Sequence, residues 1–486
     1  MNKRNIFSGF LVAMVLVFIF SVVGFAAPLT GATTKTLSTN YTLVNMGDTE
    51  ASVSVSYLKS DGSIWDADSA NENFTIAPNF GQRIVAQYFD TTMTGGKGSA
   101  IISSSAPLGA VVQILAREQT PTQGAYSGFS SGSSSYYVPL ILRNRSTASG
   151  LASSQIMIQN IDNSDVNVTI EFLPNLGFTG YTTPTIVIKP GVTYYWDAAD
   201  ESSTNLADGW SGSAVVNAAD SKMIAVVSNL FSGPHGLQTF NAFPLEVATT
   251  SWSVPLFTSR LPNGLSTPVS IQNISTNSIE IGGLDMECTS TLSTPASLSL
   301  SNTEAIPSNS AYYFNPVTDN TIPSNWTGAC TITSSQNVVV FVQMRRPGVS
   351  DETAAYEAFP ATGTDTQVVI PLMSKHQANG FSTAATIQNL DDVNAAEVKL
   401  TYTPSVDYTG SQTPIILTRT IPPSGNLIQN FRTNDVPEVP DGWFGTLLIE
   451  PVEISSARPI VAFVQLTNIL GLPGDTLMAH DAFTLP

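Results

Sequence analysis

Apolar and polar residues alternate with a period of two along most of the chain. Residues 166–172 show the pattern, with Val, Val, Ile and Phe at every second position and polar residues between them. Residues 53–57 and 398–402 repeat it. Successive side chains of a β-strand point to opposite faces, so this pattern predicts strands with one buried face. Helical spacing is nowhere sustained, which indicates an all-β protein.

Short apolar runs follow one another between residues 137 and 230, separated by turn signals. Two such signals are Lys189-Pro190-Gly191 and Asp208-Gly209. About eight short strands within about 115 residues fit an antiparallel sandwich of the immunoglobulin-like kind. In such a sandwich the inward faces of two sheets form one core.

The chain also repeats itself. Val138-Pro139-Leu140 returns as Val254-Pro255-Leu256 and Ile370-Pro371-Leu372. A second recurring segment has the Asn residues of its four copies 115, 113 and 116 positions apart. Its copies are Ile158-Gln159-Asn160, Ile271-Gln272-Asn273, Ile387-Gln388-Asn389 and the weaker Leu43-Val44-Asn45. The predicted domains are therefore residues 27–135, 136–250, 251–367 and 368–486, called repeats 1 to 4 below.

The proline of the Val-Pro-Leu segment cannot donate a ladder hydrogen bond. Its strand is therefore predicted at a sheet edge or at the start of a sheet, opening each repeat. Repeat 1 is interpreted as lacking this segment, which leaves a vacancy in one sheet. The Gly/Ser-rich residues 127–135 are predicted to be a flexible linker. Four sandwiches end to end would make a rod of roughly 120–160 Å.

These repeats resemble the tandem immunoglobulin-like repeats of bacterial secreted and cell-surface proteins. The resemblance lies in the Val-Pro-Leu opening, the Ile-Gln-Asn strand and a Gly-Ser-Ala-Val-Val strand at 212–216, and it covers residues 27–486. It implies four tandem immunoglobulin-like antiparallel β-sandwich domains after an N-terminal signal segment. The resemblance rests on residues of strands and turns and not on residues of a functional site, so it supports the fold more than any activity.

The first 26 residues have the layout of an export signal. Lys3 and Arg4 precede an apolar run over residues 6–25, and Gly24 and Ala26 are the small residues expected before a cleavage site. We predict a signal peptide over 1–26, cleavage after Ala26 and a secreted or cell-surface location. The alternative is an uncleaved anchor, because about 20 apolar residues can span a bilayer.

Composition narrows the function further. The formal net charge is −18, so nothing favours binding to a phosphate backbone, and nucleic acid is excluded as a partner. Charged residues make up 12% of the chain and 42% is hydrophobic, which argues against disorder and against helical bundles.

Both cysteines of the chain, Cys288 and Cys330, lie in repeat 3. Alignment of the repeats places them at core-facing positions of different strands, 42 positions apart. In an exported protein this arrangement predicts a disulfide, contributing about 3–4 kcal/mol by loop entropy.

One acidic segment could hold a cation. Asp61, Asp66 and Asp68 lie with Gly62 within eight residues, and Ca²⁺ prefers such oxygen ligands. The segment lacks the full loop spacing and a closing bidentate Glu, so a solvated hairpin is the preferred interpretation. We predict no cofactor, with Ca²⁺ as the alternative.

Trp210, Trp326 and Trp443 occupy one repeat position, each before a strand that begins with Gly. An exposed row of Trp could stack on sugar rings. A large aromatic that recurs with the fold more often fills the core, and this is the preferred interpretation.

The sequence contains only weak matches to known arrangements of catalytic residues. Residues 128–132 match a nucleophile elbow, but they lie in a Ser/Gly stretch without the strand and helix that an elbow requires. The histidines, His235, His376 and His480, fall at unrelated repeat positions. No Asp/Glu pair stands out from ordinary turn acids. We predict that the protein is not an enzyme.

The sequence thus predicts a non-enzymatic extracellular structural or adhesive repeat protein, such as a cell-surface scaffold or a subunit of a surface layer or filament. The alternatives are an array of carbohydrate-binding modules and a carboxylate-type glycoside-active enzyme. Expected partners are further copies of the chain, which could donate a strand to the vacancy in repeat 1, or other envelope proteins and glycans. No membrane contact is expected after signal removal.

Overall fold

The structure is a computed structural model that describes residues 37–116, 121–175, 177–200, 205–433 and 435–485. The predicted signal peptide and its cleavage site lie outside the described residues. Within the described ranges, no helix is both long and apolar enough to cross a membrane.

Strands dominate the described residues, which confirms the all-β prediction. Helical structure is limited to the one-turn helix α1 (Ser69–Glu72), capped by the Asp68 carboxylate, and to a few short 3₁₀ turns. Every named strand pair is antiparallel. In repeats 1, 2 and 4 the strands form two separate sheets, while repeat 3 forms one continuous sheet. We call the sheet with the Ile-Gln-Asn strand the amide sheet, and the other the proline sheet.

Repeat 1 forms an amide sheet in the order β4-β1-β6-β7 and a three-stranded sheet in the order β3-β2-β5. Its strands are β1 (Leu37–Asn45), β2 (Ala51–Lys59), β3 (Asn73–Ile76), β4 (Gln82–Ala86), β5 (Gly98–Ser104), β6 (Leu108–Ala116) and β7 (Thr122–Ser127).

Repeat 2 forms an amide sheet β14-β10-β16-β17, with β9 on β10, and a proline sheet β12-β11-β15-β8-β18, with β13 on β11. Its strands are β8 (Ser135–Leu142), β9 (Arg145–Thr147), β10 (Gly150–Asn160), β11 (Val166–Pro174), β12 (Tyr181–Thr182), β13 (Ile186–Ile188), β14 (Thr193–Asp197), β15 (Ser211–Ala218), β16 (Ile224–Ser232), β17 (Gly236–Asn241) and β18 (Phe243–Pro244).

In repeat 3 one long strand, β24, belongs to both sheets, whose orders are β23-β20-β24-β25 and β22-β21-β24-β19-β26. The strands are β19 (Thr249–Ser259), β20 (Val269–Asn273), β21 (Leu284–Thr289), β22 (Ser297–Ser301), β23 (Ala311–Phe314), β24 (Trp326–Arg345), β25 (Thr353–Glu357) and β26 (Phe359–Pro360).

Repeat 4 forms an amide sheet β31-β28-β33-β34 and a proline sheet β30-β29-β32-β27-β35. The strands are β27 (Val368–Ser374), β28 (Phe381–Asn389), β29 (Ala396–Pro404), β30 (Ile415–Ile421), β31 (Asn426–Asn430), β32 (Phe444–Pro451), β33 (Ile460–Asn468), β34 (Met478–Asp481) and β35 (Phe483–Thr484).

The apolar cores follow the repeats, but they also join across them. Repeats 1 and 4 each have a separate cluster of buried residues, whereas one continuous cluster fills repeats 2 and 3. Aromatic contacts connect neighbouring repeats, with ring centroids 4.0 Å apart for Phe240 and Phe341 and 4.0 Å apart for Tyr356 and Phe463. Burial between repeats therefore adds to burial within them.

The prediction of an end-to-end rod is wrong. The last strands of the four amide sheets contact one another in cyclic order, β7 with β17, β17 with β25, β25 with β34 and β34 with β7. Repeat 1 therefore contacts repeat 4, and the chain closes into a ring. The predicted flexible linker is also held in place, because Gly128 and Ser133 donate backbone hydrogen bonds to Ala110 and Ile224.

The proline-containing strands begin repeats 2 to 4, as predicted, but they are not edge strands. Each lies inside its sheet, flanked on its outer side by a two-residue strand. A shift of register opposite each Val-Pro-Leu segment, as between Gly212 and Ala214 of β15, accommodates a residue without an N–H. Bulges are one of the few places where a sheet tolerates proline.

Candidate functional site

The three repeat-equivalent tryptophans are buried. Trp210, Trp326 and Trp443 are each 1% exposed. The indole N–H of Trp210 donates to the Thr179 carbonyl at 3.0 Å, and that of Trp326 donates to the Pro295 carbonyl at 2.8 Å. No ring face is open for a sugar to stack on, so the geometry places these residues in the core.

We expect Trp326→Ala to lower the free energy of unfolding by about 3–5 kcal/mol, because it removes a large buried aromatic ring. Urea denaturation would measure the change. Trp65→Ala is a matched control, since this Trp is only partly buried and should lose less stability. An unchanged midpoint for Trp326→Ala, together with lost glycan binding, would contradict the structural role.

Cys288 and Cys330 form a disulfide, with an S–S distance of 1.96 Å. They are directly paired across strands β21 and β24. Both are about 1% exposed, so the bond lies inside repeat 3 and ties two strands of its proline sheet.

The three acids considered for Ca²⁺ serve separate local turns. The Asp61 carboxylate accepts from the Ser63 N–H at 2.8 Å and from the Ser63 hydroxyl at 2.7 Å, and these hydrogen bonds lower its pKa. Asp68 caps α1 by accepting from the Ala70 N–H at 2.9 Å. Asp66 is exposed. Among the described residues, no group of three or more His, Cys, Asp or Glu side chains is placed to hold a metal ion.

The remaining reactive side chains are dispersed. His376 Nδ1 lies 2.8 Å from the Asp441 carboxylate, at one end of repeat 4. His480 lies inside the ring, where burial lowers its pKa to about 4. The elbow-like segment leads from β7 into β8, so a strand follows it instead of a helix.

A basic side chain bonded to loop carbonyls recurs in repeats 2 to 4 and was missed at the sequence level; it is buried in repeats 2 and 4 and partly buried in repeat 3. Arg143, Arg260 and Lys375 follow the proline of each opening strand by four or five positions. Lys375 Nζ donates to the carbonyls of Val436 and Val439 at 2.8 and 2.7 Å, and both arginines donate to loop carbonyls in the same way. The recurrence of a basic residue at this position was the available signal, but a lone basic residue looks like a surface residue.

Residues of the recurring motifs also form the interfaces between neighbouring repeats, which are called joints below. Asn426 Nδ2 of repeat 4 donates to the Pro255 carbonyl of repeat 3 at 2.6 Å. Gln82 of repeat 1 donates likewise to Pro371 of repeat 4, and the Tyr313 hydroxyl lies 3.5 Å from the Pro139 carbonyl. The proline carbonyl of each opening strand thus faces the next repeat.

The Gln of the Ile-Gln-Asn segment faces the same joints. Gln272 Nε2 lies 3.4 Å from the Ala214 carbonyl, and Gln388 Nε2 lies 3.4 Å from the Cys330 carbonyl. Ala214 and Cys330 occupy equivalent positions beside the proline bulges. Motifs that were interpreted as parts of single sandwiches therefore also join neighbouring sandwiches.

Acidic side chains meet where the ring closes. The Asp475 carboxylate is fully buried and accepts backbone N–H groups from Leu237 at 2.8 Å, Thr353 at 3.1 Å and Leu477 at 3.1 Å. Burial raises its pKa, and the three amide donors oppose that rise. Its own N–H donates to the Pro121 carbonyl at 2.9 Å. One residue therefore contacts all four repeats.

Two further acids pair beside it. Glu357 of β25 and Asp481 of β34 share a hydrogen bond, and Glu357 also accepts the Asn241 N–H. Burial raises the pKa of both carboxyl groups, and repulsion from Glu357 raises that of Asp481 further. The two residues are partly buried between repeats and Glu357 is bonded to the backbone, an arrangement that supports a structural role.

An open surface groove lies between repeats 1 and 2. It measures about 290 Å³, and among its described lining residues Asp61 is the one carboxylate. The Lys97 ammonium lies 4.5 Å from the Tyr195 ring centroid, and the Tyr195 hydroxyl donates to the Gly98 carbonyl at 2.7 Å. A glycosidase needs two opposed carboxyl groups, which this groove does not provide.

Comparison with known proteins gives a limited result. No protein-family model matches the chain, and no curated protein matches it. A solved structure described as a tetra-tandem repeat in the extending region of a large adhesion protein is similar at 11% identity, covering 90% of this chain and 92% of that one. The TM-score of 0.11 is too low for that likeness to support any conclusion about this chain.

Proposed function

We propose that the protein is a non-enzymatic extracellular structural or adhesive protein whose four immunoglobulin-like domains form one closed head. The observation that supports this most is the use of its recurring motifs. The opening prolines, the strand glutamines and the buried Asp475 all form hydrogen bonds between repeats. Side chains that would have to converge for chemistry are instead bonded to backbone groups.

The low charge supports the same proposal. Charged residues are 12% of the chain, and uncharged polar residues such as Ser52, Ser54 and Asn167 occupy exposed strand positions. Such residues can be buried in a joint at a modest cost where they find hydrogen-bond partners. The head would present a polar, weakly charged outer surface to other envelope proteins, to glycans or to further copies of itself.

A retention assay tests this function. Biotinylated protein is incubated with the producing cells, with their isolated envelope, with a glycan array and with plates coated with the same protein. We expect saturable retention on at least one surface, and a heat-unfolded sample of the same protein should lose it. Retention on the glycan array alone would favour the carbohydrate-binding alternative.

The opposite result is equally clear. Absence of retention on every surface, combined with turnover in a panel of polysaccharide and peptide substrates, would overturn the proposal. Substrate turnover that disappears in Glu357→Gln or Asp481→Asn would assign the reaction to the paired acids. We expect no turnover by the parent protein.

A further inference from the structure

Four polar residues occupy one equivalent position, two residues before a phenylalanine near the end of each repeat. Each is the last residue of the last strand in its amide sheet, β7, β17, β25 or β34. These strands contact one another in cyclic order around the ring. Each repeat therefore brings one oxygen-bearing side chain to the place where the four repeats meet. The four residues are Ser127, Asn241, Glu357 and Asp481.

Strand pairing directs these side chains away from the core of their own sandwich. Glu357 lies opposite Phe341, and the residue before Phe341, Val340, lies opposite the core residue Ile271. Opposed residues share a face and successive residues alternate, so Phe341 and Glu357 face outward. Phe341 contacts Phe240 of repeat 2 on that side. Glu357 therefore points toward the neighbouring repeat, and the other three residues have the same register.

Hydrogen bonds link the four residues in series. Asn241 Nδ2 donates to the Ser127 carbonyl at 2.8 Å. The Glu357 carboxylate accepts the Asn241 N–H, and the Asp481 carboxylate is bonded to the backbone N–H and to the side chain of Glu357. The strand of Asp481, β34, contacts the strand of Ser127, β7. The series therefore runs from repeat to repeat, and its two ends lie on neighbouring strands.

Three oxygen atoms of this group are buried and have no hydrogen-bond partner among the described residues. They are Ser127 Oγ, Asn241 Oδ1 and Asp481 Oδ1. Buried oxygens of this kind are rare in folded proteins, and a donor or a bound ion normally satisfies them. Here the neighbouring carboxyl groups of Glu357 and Asp481 also repel each other, which raises the pKa of Asp481. A cation would satisfy the oxygens and offset this repulsion, whereas a neutral donor would do only the first.

We propose that one Ca²⁺ ion binds where the four repeats meet, with one ligand from each repeat: Ser127, Asn241, Glu357 and Asp481. The four side chains carry six oxygen atoms, and Ca²⁺ takes about six to eight oxygen ligands. Two carboxylates balance the charge of a divalent ion. Ca²⁺ tolerates irregular geometry, whereas Mg²⁺ demands a near-ideal octahedron and Zn²⁺ prefers nitrogen and sulfur ligands.

Such an ion would stabilise the closed ring in particular. Its ligands come from four repeats and converge only when the ring is formed, so the free energy of binding adds to the free energy of folding. In the metal-free protein a proton shared by Glu357 and Asp481 relieves their repulsion, and Ca²⁺ would take its place. The acidic segment around Asp61 differs, because its acids come from one repeat and serve local turns.

Calcium titration of the full chain tests the site. Protein freed of metal with EDTA and then dialysed is titrated with CaCl₂ at pH 7.5 by calorimetry, and a second sample is titrated with MgCl₂. We expect one Ca²⁺ per chain and weaker binding of Mg²⁺. At a Ca²⁺ concentration about 100 times Kd, the ratio of folded to unfolded protein should rise about 100-fold, which a higher urea midpoint would report.

Three variants locate the ion. Asp481→Asn removes a charged ligand and should weaken Ca²⁺ binding about tenfold or more. Ser127→Ala removes one hydroxyl from the outward face of β7 and should weaken it by a smaller factor, so it carries the test if Asp481→Asn does not fold. Asp66→Asn is the matched control, because it alters an exposed acid of the other acidic segment and should keep the parent affinity.

Several results would overturn the proposal. Folded parent protein that binds no Ca²⁺ would show that the three oxygens are satisfied without an ion. Equal affinity in the parent, Asp481→Asn and Ser127→Ala would place the ion elsewhere, and lost affinity in Asp66→Asn would place it in repeat 1. Tighter binding of Mg²⁺ than of Ca²⁺ would contradict the choice of ion.

Discussion

Asp475→Ala will lower the free energy of unfolding by about 3–6 kcal/mol, a larger effect than any other single side chain discussed above. The carboxylate accepts N–H groups from repeats 2, 3 and 4, and its removal leaves three buried donors without a partner. Each buried donor without a partner costs about 1–3 kcal/mol. Urea denaturation followed by tryptophan fluorescence measures the loss.

Two variants give this prediction its controls. Asp475→Asn keeps one accepting oxygen and should lose less stability than the alanine variant. Asp392→Ala removes an exposed acid from the same repeat and should change stability by less than about 0.5 kcal/mol. If Asp475→Ala unfolds within about 1 kcal/mol of the parent, then the carboxylate does not hold the ring together.

The structure of each single repeat was largely accessible from the sequence. The alternation at residues 166–172 became strand β11, and the equivalent stretches became β2 and β29. Cys288 and Cys330 were placed on different strands by aligning the repeats, and they are bonded. These inferences succeed because a strand's period and a core-facing position are local properties of the sequence.

The closure of the four repeats into a ring could not be predicted from the sequence in the same way. Gln272 and Gln388 face outward from their own repeats, so a pattern read within one repeat assigns them to solvent. Only the three-dimensional arrangement shows that the neighbouring repeat covers them. Arg143 and Lys375 were missed for a similar reason, because the sequence does not distinguish a cation bonded to buried carbonyls from an exposed one. The low share of charged residues, 12% of the chain, is consistent with buried polar contacts between repeats, but the sequence analysis used it only against disorder and helical bundles.

The paired acids Glu357 and Asp481, between repeats 3 and 4, are expected to make the stability of the protein depend strongly on pH. Raising the pH from about 6.5 to about 9 will destabilise the parent protein, and Glu357→Gln will be destabilised less. The pKa values of Glu357 and Asp481 are raised in the folded protein, chiefly by burial. In the unfolded chain both carboxyl groups titrate near pH 4.

The sign follows from proton linkage. Above the unfolded pKa, the folded pair holds a proton that the unfolded chain has lost, so folding takes up a proton. The stabilisation is therefore complete below about pH 4 and is lost as the pH rises through the raised pKa of the pair. One proton gives a slope of at most about 1.4 kcal/mol per pH unit. His480, whose folded pKa is lowered to about 4, adds a small slope of opposite sign near pH 6.5, where the unfolded imidazole still loses its proton, and this contribution is the same in the parent and in Glu357→Gln.

Glutamine reproduces the protonated form of Glu357 without titrating. Its oxygen can accept the Asn241 N–H and its amide can donate to Asp481, so the joint stays bonded at high pH. Asp475 still contributes some pH dependence in this variant, since its pKa is raised as well. Urea midpoints at pH 6.5 and pH 9 measure both slopes, and Glu304→Gln, which alters an exposed acid, should keep the parent slope. Equal slopes for the parent and Glu357→Gln would mean that the pair carries no proton in this range, and that its two charges are instead stabilised by the joint.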